Sequence, residues 1–168
     1  MQRRTLLKLG LGATALLTIA GGSVVLLRPA LTDGRLRDGP REVMRSVALG
    51  VLDGVLPPGT SARGAALDAH LSRLEAAIAA FPAPVRAELS QLLALLSAPP
   101  GRLALAGLSS GWPEASVAQV QAALQGMRVS SLALKQQAYH ALRDLTNAAY
   151  FSDPSAWSHL GYPGPSDL

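Results

Sequence analysis

Clusters of proline and glycine cut this chain into segments, and between the cuts the apolar residues recur at the period of a helix. The cuts are Pro57-Pro58-Gly59, the pair Pro82 and Pro84, and Pro99-Pro100-Gly101. Proline lacks the N–H that a helix interior needs and crowds the carbonyl four residues back, so no helix runs through such clusters. The stretch from 60 to 81 is the clearest: Leu67, Leu71, Leu74, Ile78 and Phe81 follow at steps of four, three, four and three, one stripe of an amphipathic helix capped by Thr60 or Ser61. Ahead of it, Gly39-Pro40 opens a first helix, with Pro40 at the first helical position and Val43, Val47, Leu49, Val51, Leu52, Val55 and Leu56 as a broad apolar face.

The remaining segments read the same way. A third helix from about Pro84 to Ser97 turns Val85, Leu89, Leu92, Leu93 and Leu96 inward, and the short connection implies an antiparallel hairpin with the second. Arg102 to Ala106 fits a short helical turn. Pro113 starts a fourth helix with Glu114 in its first turn and Val117, Val120, Leu124 and Met127 on its buried face. Ser130 caps a fifth, running to about Tyr150, with Leu134, Ala138, Leu142, Leu145 and Ala149 inward. No segment shows sustained strand alternation. The expectation is an all-α fold of about five helices in a compact bundle, with an N-terminal apolar signal or anchor helix and an irregular aromatic C-terminal tail. The divisions are 1–30, 31–151 and 152–168.

Formal charge is +4 at neutral pH, which invites a nucleic-acid reading. Its distribution removes the invitation. Arg3, Arg4, Lys8 and Arg28 lie in or beside the leader, and the other 11 basic residues face 11 acidic ones. No basic stripe with interleaved aromatics remains to bind phosphates, so no nucleic-acid partner is expected. Cysteine is absent, which excludes disulfides, thiolate metal sites and thioether-linked haem.

The N-terminus has the layout of an export signal. Gln2-Arg3-Arg4-Thr5-Leu6-Leu7-Lys8 is a basic region, and the run from Leu9 to Leu27 is uncharged and largely apolar. The segment resembles the twin-arginine signal, which directs folded proteins across the bacterial inner membrane through the Tat translocase. Arg3, Arg4, Leu7 and Lys8 carry that resemblance; Gln2 and Leu6 depart from the pattern. An ordinary membrane anchor with a basic flank is the other reading. A helix over 9–27 spans about 28 Å at roughly 1.5 Å per residue, close to the hydrocarbon core of a bilayer. No small-x-small cleavage site follows Leu27, and the basic residues before the run favour a cytoplasmic N-terminus. A retained anchor with the rest of the chain in the periplasm is therefore expected, with cleavage at an atypical site as the alternative.

Candidate chemistry is sparse. His70 stands beside Leu71 with no ligand-type residue four positions away, and a solvated or locally bonded imidazole is expected there. His140 and Asp144 share a helix face, but without a nucleophile or third member the expected arrangement is a surface pair. No catalytic, metal or cofactor site is expected in this chain. The tail differs in kind: four of the seven aromatic residues, Tyr150, Phe151, Trp157 and Tyr162, fall within the last 19 positions. Gly161, Pro163, Gly164 and Pro165 forbid regular helix there. Such a tail either folds back over the bundle or docks on another protein, since Trp and Tyr are favoured interface anchors.

The twin-arginine leader, a helical domain of this length and the closing Trp157-x-x-x-Gly161-Tyr162-Pro163-Gly164-Pro165 together resemble the gluconate 2-dehydrogenase subunit 3 family. The resemblance covers essentially the whole chain, with specific motifs only at its ends. It implies a non-catalytic small subunit of a membrane-associated dehydrogenase. Its partner would be a large flavoprotein of the glucose-methanol-choline type holding FAD, commonly with a cytochrome c subunit carrying haem. The small subunit would supply the export signal and assist maturation. Independently of the resemblance, the aromatic tail, with Trp157, Gly161, Tyr162, Pro163, Gly164 and Pro165, is the first candidate for partner binding. A stand-alone, membrane-anchored periplasmic structural or regulatory domain is the alternative.

Overall fold

A computed structural model describes residues 28–32 and 34–162. The described chain is mostly helical. It opens with a short antiparallel hairpin, β1 (Leu31–Thr32) and β2 (Arg35–Leu36), in which Leu31 faces Leu36 and Thr32 faces Arg35. Six α-helices follow: α1 (Asp38–Val51), α2 (Thr60–Ala79), α3 (Ala83–Ser97), α4 (Pro99–Ala106), α5 (Val117–Arg128) and α6 (Ala133–Phe151). A 3₁₀ turn over Pro154–Leu160 folds the chain back on the end of α6. The hairpin was not foreseen; two-residue strands are too short to show alternation, and the turn is carried by Gly34 at φ 81°.

α1 is the hub. It packs against α2, α3, α5 and α6, and its Val43, Met44 and Val47 are completely buried. Around them the core gathers Leu71, Leu74 and Ile78 of α2, Leu93 and Leu96 of α3, Val120 and Met127 of α5, and Leu142 of α6. The buried stripe of α2 agrees with its spacing, with Phe81 packed at its edge. Three expectations need correction. The second and third helices do not form a tightly packed pair: α2 lies chiefly on α6, and α3 on α1 and α4. The first helix stops at Val51 rather than running to Leu56, because Gly54 adopts φ 84° and turns the chain away, leaving Val55 exposed. Helix α5 starts at Val117, not Pro113. Ser116 caps it by accepting from Gln119 N at 3.2 Å, while Gln119 Oε1 accepts from Ser116 N at 2.8 Å, a capping box.

Two further caps differ from expectation. Gly59, at φ 89°, precedes α2, so Thr60 is its first residue and no side chain caps it. Leu132 occupies the cap position of α6, while Ser130, two residues earlier, accepts from Leu132 N at 3.1 Å. The short helical turn expected over 102–106 is a full helix, α4, begun by Pro99 and Pro100 in its first turn. Gly101 lets it lie directly against the backbone carbonyl of Leu95, where a Cβ would collide. Among the described residues no helix is long and apolar enough to cross a membrane; the anchor expected over 9–27 lies outside them.

Candidate partner-binding site

Arg3, Arg4, Leu7 and Lys8 of the leader, and Pro163, Gly164 and Pro165 of the tail, lie outside the described residues. Trp157, Gly161 and Tyr162 lie within them and come together at the C-terminal end of α6. Helix ends leave carbonyls without intrahelical partners; here Ser152 N and Asp153 N serve Ala148 O and Tyr150 O, and side chains serve the other two. Arg73 of α2 donates from Nε to Ala149 O at 3.1 Å, Ser152 Oγ donates to the same carbonyl at 2.9 Å, and Trp157 Nε1 donates to Phe151 O at 2.8 Å. The cationic guanidinium also suits the negative pole of the helix.

Arg73 reaches further. Its second arm meets Asp153 at 3.0 Å, tying α2 to the first residues of the tail. Hydrogen bonds from the Ser155 hydroxyl and backbone N–H, with Arg73 adding its charge, hold the Asp153 carboxyl below its usual range. The 3₁₀ turn is thereby pinned at its start, and it inserts Ala156 into the interior. Gly161 then takes φ 67°, and Tyr162 N donates to Trp157 O at 3.1 Å. The reversal brings the Tyr162 ring against the Trp157 ring, with centroids 5.6 Å apart.

The described portion of the tail follows the fold-back reading. The tail folds back, yet its aromatic face is not covered: Tyr162 is 50% exposed and Phe151 37%. Phe151 stacks edge-on against Tyr150 at 5.2 Å, so the end of the bundle presents fixed rings rather than loose ones. Fixed aromatic side chains lose little entropy on binding, which is what an interface anchor requires.

Elsewhere the histidines depart from expectation. His70 is not solvated: it is 1% exposed, and neither ring nitrogen has a hydrogen-bond partner among the described residues. Desolvation, reinforced by the Arg73 charge, lowers its pKa to about 4. The signal was present in the spacing, since position 70 follows Leu67 by three and precedes Leu74 by four. His140 is exposed and makes an edge contact with Tyr139, while Asp144 is held by Arg143 at 2.7 Å, so the expected His140–Asp144 pair does not form. Among the described residues no group of three His, Cys, Asp or Glu side chains could hold a metal.

Trp112, which stands outside every helical stripe of the sequence, is structural. It is buried between α1 and α3, donating from Nε1 to Leu96 O at 2.8 Å and accepting at its carbonyl from Ser46 Oγ at 2.9 Å. A large aromatic flanked by Gly111 and Pro113 interrupts any helix, and that was the available clue. Beside it, a shallow groove of about 160 Å³ runs between α1 and the start of α5, lined by Glu42, Arg45, Ser46 and Pro113. Arg45 is already engaged by Asp68 at 2.7 Å. In comparisons with known proteins, no family model, no curated protein and no solved structure matches the chain.

Proposed function

We infer that this chain is a non-catalytic small subunit that escorts a larger flavin-dependent dehydrogenase to the periplasm. The observation that carries the reading is the Arg3-Arg4 leader placed ahead of a formally neutral, cysteine-free helical domain. Folded export chiefly serves proteins that acquire a cofactor in the cytoplasm, so a leader of this kind suits a chain that carries a loaded partner with it. The resemblance to gluconate 2-dehydrogenase subunit 3 supplies the partner class: a glucose-methanol-choline type flavoprotein holding FAD, accompanied by a cytochrome c. The anchored aromatic end of the bundle, with Trp157 fastened and Tyr162 exposed, supports a docking role for the tail.

The decisive experiment is replacement of Arg3 and Arg4 together by lysine in cells that also make the flavoprotein. Flavoprotein activity is expected to remain in the cytoplasm, and a tagged wild-type chain is expected to co-purify with it. Unchanged periplasmic activity in the double variant overturns the escort role. Purification as a lone, stable, cofactor-free protein would instead favour an anchored structural or regulatory domain.

A further inference from the structure

Three arginines at the start of the described chain are left out of a rule that the other described arginines obey. Arg41, Arg45, Arg63, Arg73, Arg86, Arg102, Arg128 and Arg143 each donate a side-chain hydrogen bond to a carbonyl, carboxylate or amide oxygen. Arg28, Arg35 and Arg37 are exposed, and their guanidinium groups have no such partner among the described residues. All three lie on or beside the β1–β2 hairpin, and Arg28 directly follows the apolar run that ends at Leu27.

The hairpin is fastened to the domain rather than trailing from it. Ala30 N donates to Ser90 Oγ at 2.9 Å, Leu36 N to Glu75 Oε1 at 3.3 Å, and Arg37 N to Ala30 O at 3.0 Å. Ala30 and Leu36 are buried, whereas the facing pair Thr32 and Arg35 is exposed. Next to it an open recess is lined by Leu31, Gly34, Arg86 and Ser90. The Ser90 hydroxyl accepts two backbone N–H groups there, and its own proton has no acceptor among the described residues. Asp38 sits in the first turn of α1, where the helix dipole favours it.

We propose that the β1–β2 hairpin, through Arg28, Arg35 and Arg37, docks on anionic phospholipid headgroups where the apolar segment leaves the bilayer. Guanidinium groups without a partner among the described residues match phosphate in charge and in their forked donor geometry. A fastened hairpin would convert that attraction into a fixed orientation of the domain on the membrane. The inference rests on the reading of Leu9 to Leu27 as a retained membrane segment.

The lack of cysteine makes the test direct, because Thr32→Cys gives a single labelling site on the hairpin. The full-length chain, labelled there with a polarity-sensitive fluorophore, is reconstituted in vesicles of phosphatidylcholine alone or with phosphatidylglycerol. Shielding from acrylamide is expected with phosphatidylglycerol, and it should disappear in about 0.5 M salt. Arg35→Gln and Arg37→Gln should each lower the docked-to-undocked ratio about fivefold. Equal shielding in both vesicle types, or shielding indifferent to these variants, overturns the proposal. So does shielding that appears only when a partner flavoprotein is added, which would assign the arginines to a protein. Flotation with both vesicle types reports the apolar segment separately. A chain that floats with an unshielded hairpin refutes the docking alone, and one that does not float refutes the membrane reading beneath it.

Discussion

A buried imidazole without a hydrogen-bond partner among the described residues behaves as an acid-triggered liability. His70 has its folded pKa near 4 against an ordinary 6.5, first because burial disfavours the charged ring and then because Arg73 repels it. As pH falls through 6.5 the unfolded chain takes up the proton, while the folded chain does not until about 4. The contribution to stability is therefore full above pH 6.5, declines across that interval and is flat below it, with a total loss of about 3 kcal/mol. His70→Leu should flatten this dependence while leaving stability at pH 7 within about 1 kcal/mol, because a neutral ring with two unbonded nitrogens gains little from its site. Urea melts of both proteins at a series of pH values check it. An unchanged slope in the variant would mean that other groups carry the acid response.

Between α1 and α5, a glycine sets how closely the helices approach. A Cβ built on Gly50 of α1 would lie 2.9 Å from Val120 Cγ1 of α5, whereas one on Gly126 meets nothing within 4 Å. Alanine favours an exposed helix interior over glycine by about 1 kcal/mol, so Gly126→Ala should raise stability by roughly that amount. Gly50→Ala should lower it by about 1–3 kcal/mol, since the valine must be displaced from a filled core. Thermal melts of the two variants should move in opposite directions; movement in the same direction would show that α1 and α5 do not meet so closely. Most helices were legible in the sequence because a stripe such as Leu67, Leu71, Leu74 and Ile78 records burial residue by residue. Helix pairing was not, since α2 chooses α6 over its neighbour α3 through contacts distant in sequence. Helix ends were read from proline, yet Gly54 and the Ser116–Gln119 box set two of them, and the buried roles of His70 and Trp112 depended on neighbours no local pattern names. Of the candidate site, the aromatic residues were legible and their fastening by Arg73 was not.

At the scale of the molecule, Arg73 joins the second helix, the end of the last and the tail in one side chain. Its planar fork serves a carbonyl and a carboxylate at once, which a lysine ammonium on a flexible stem does not reproduce. Arg73→Lys should therefore loosen the tail without unfolding the bundle, faster amide exchange over residues 153–162 being the readout, with the cores of α1 and α5 unaffected. Equal acceleration in α1 would show that the tail is part of the core. The hub position of α1 has a different consequence, set by the order of synthesis. Its Val43, Met44 and Val47 leave the ribosome long before α5 and α6, which cover them, have been made. At 5–20 residues per second the intervening stretch of roughly a hundred residues takes about five to twenty seconds. For that interval the nascent chain exposes an apolar helix covered only by α2 and α3, and the domain can close only once α6 has been made.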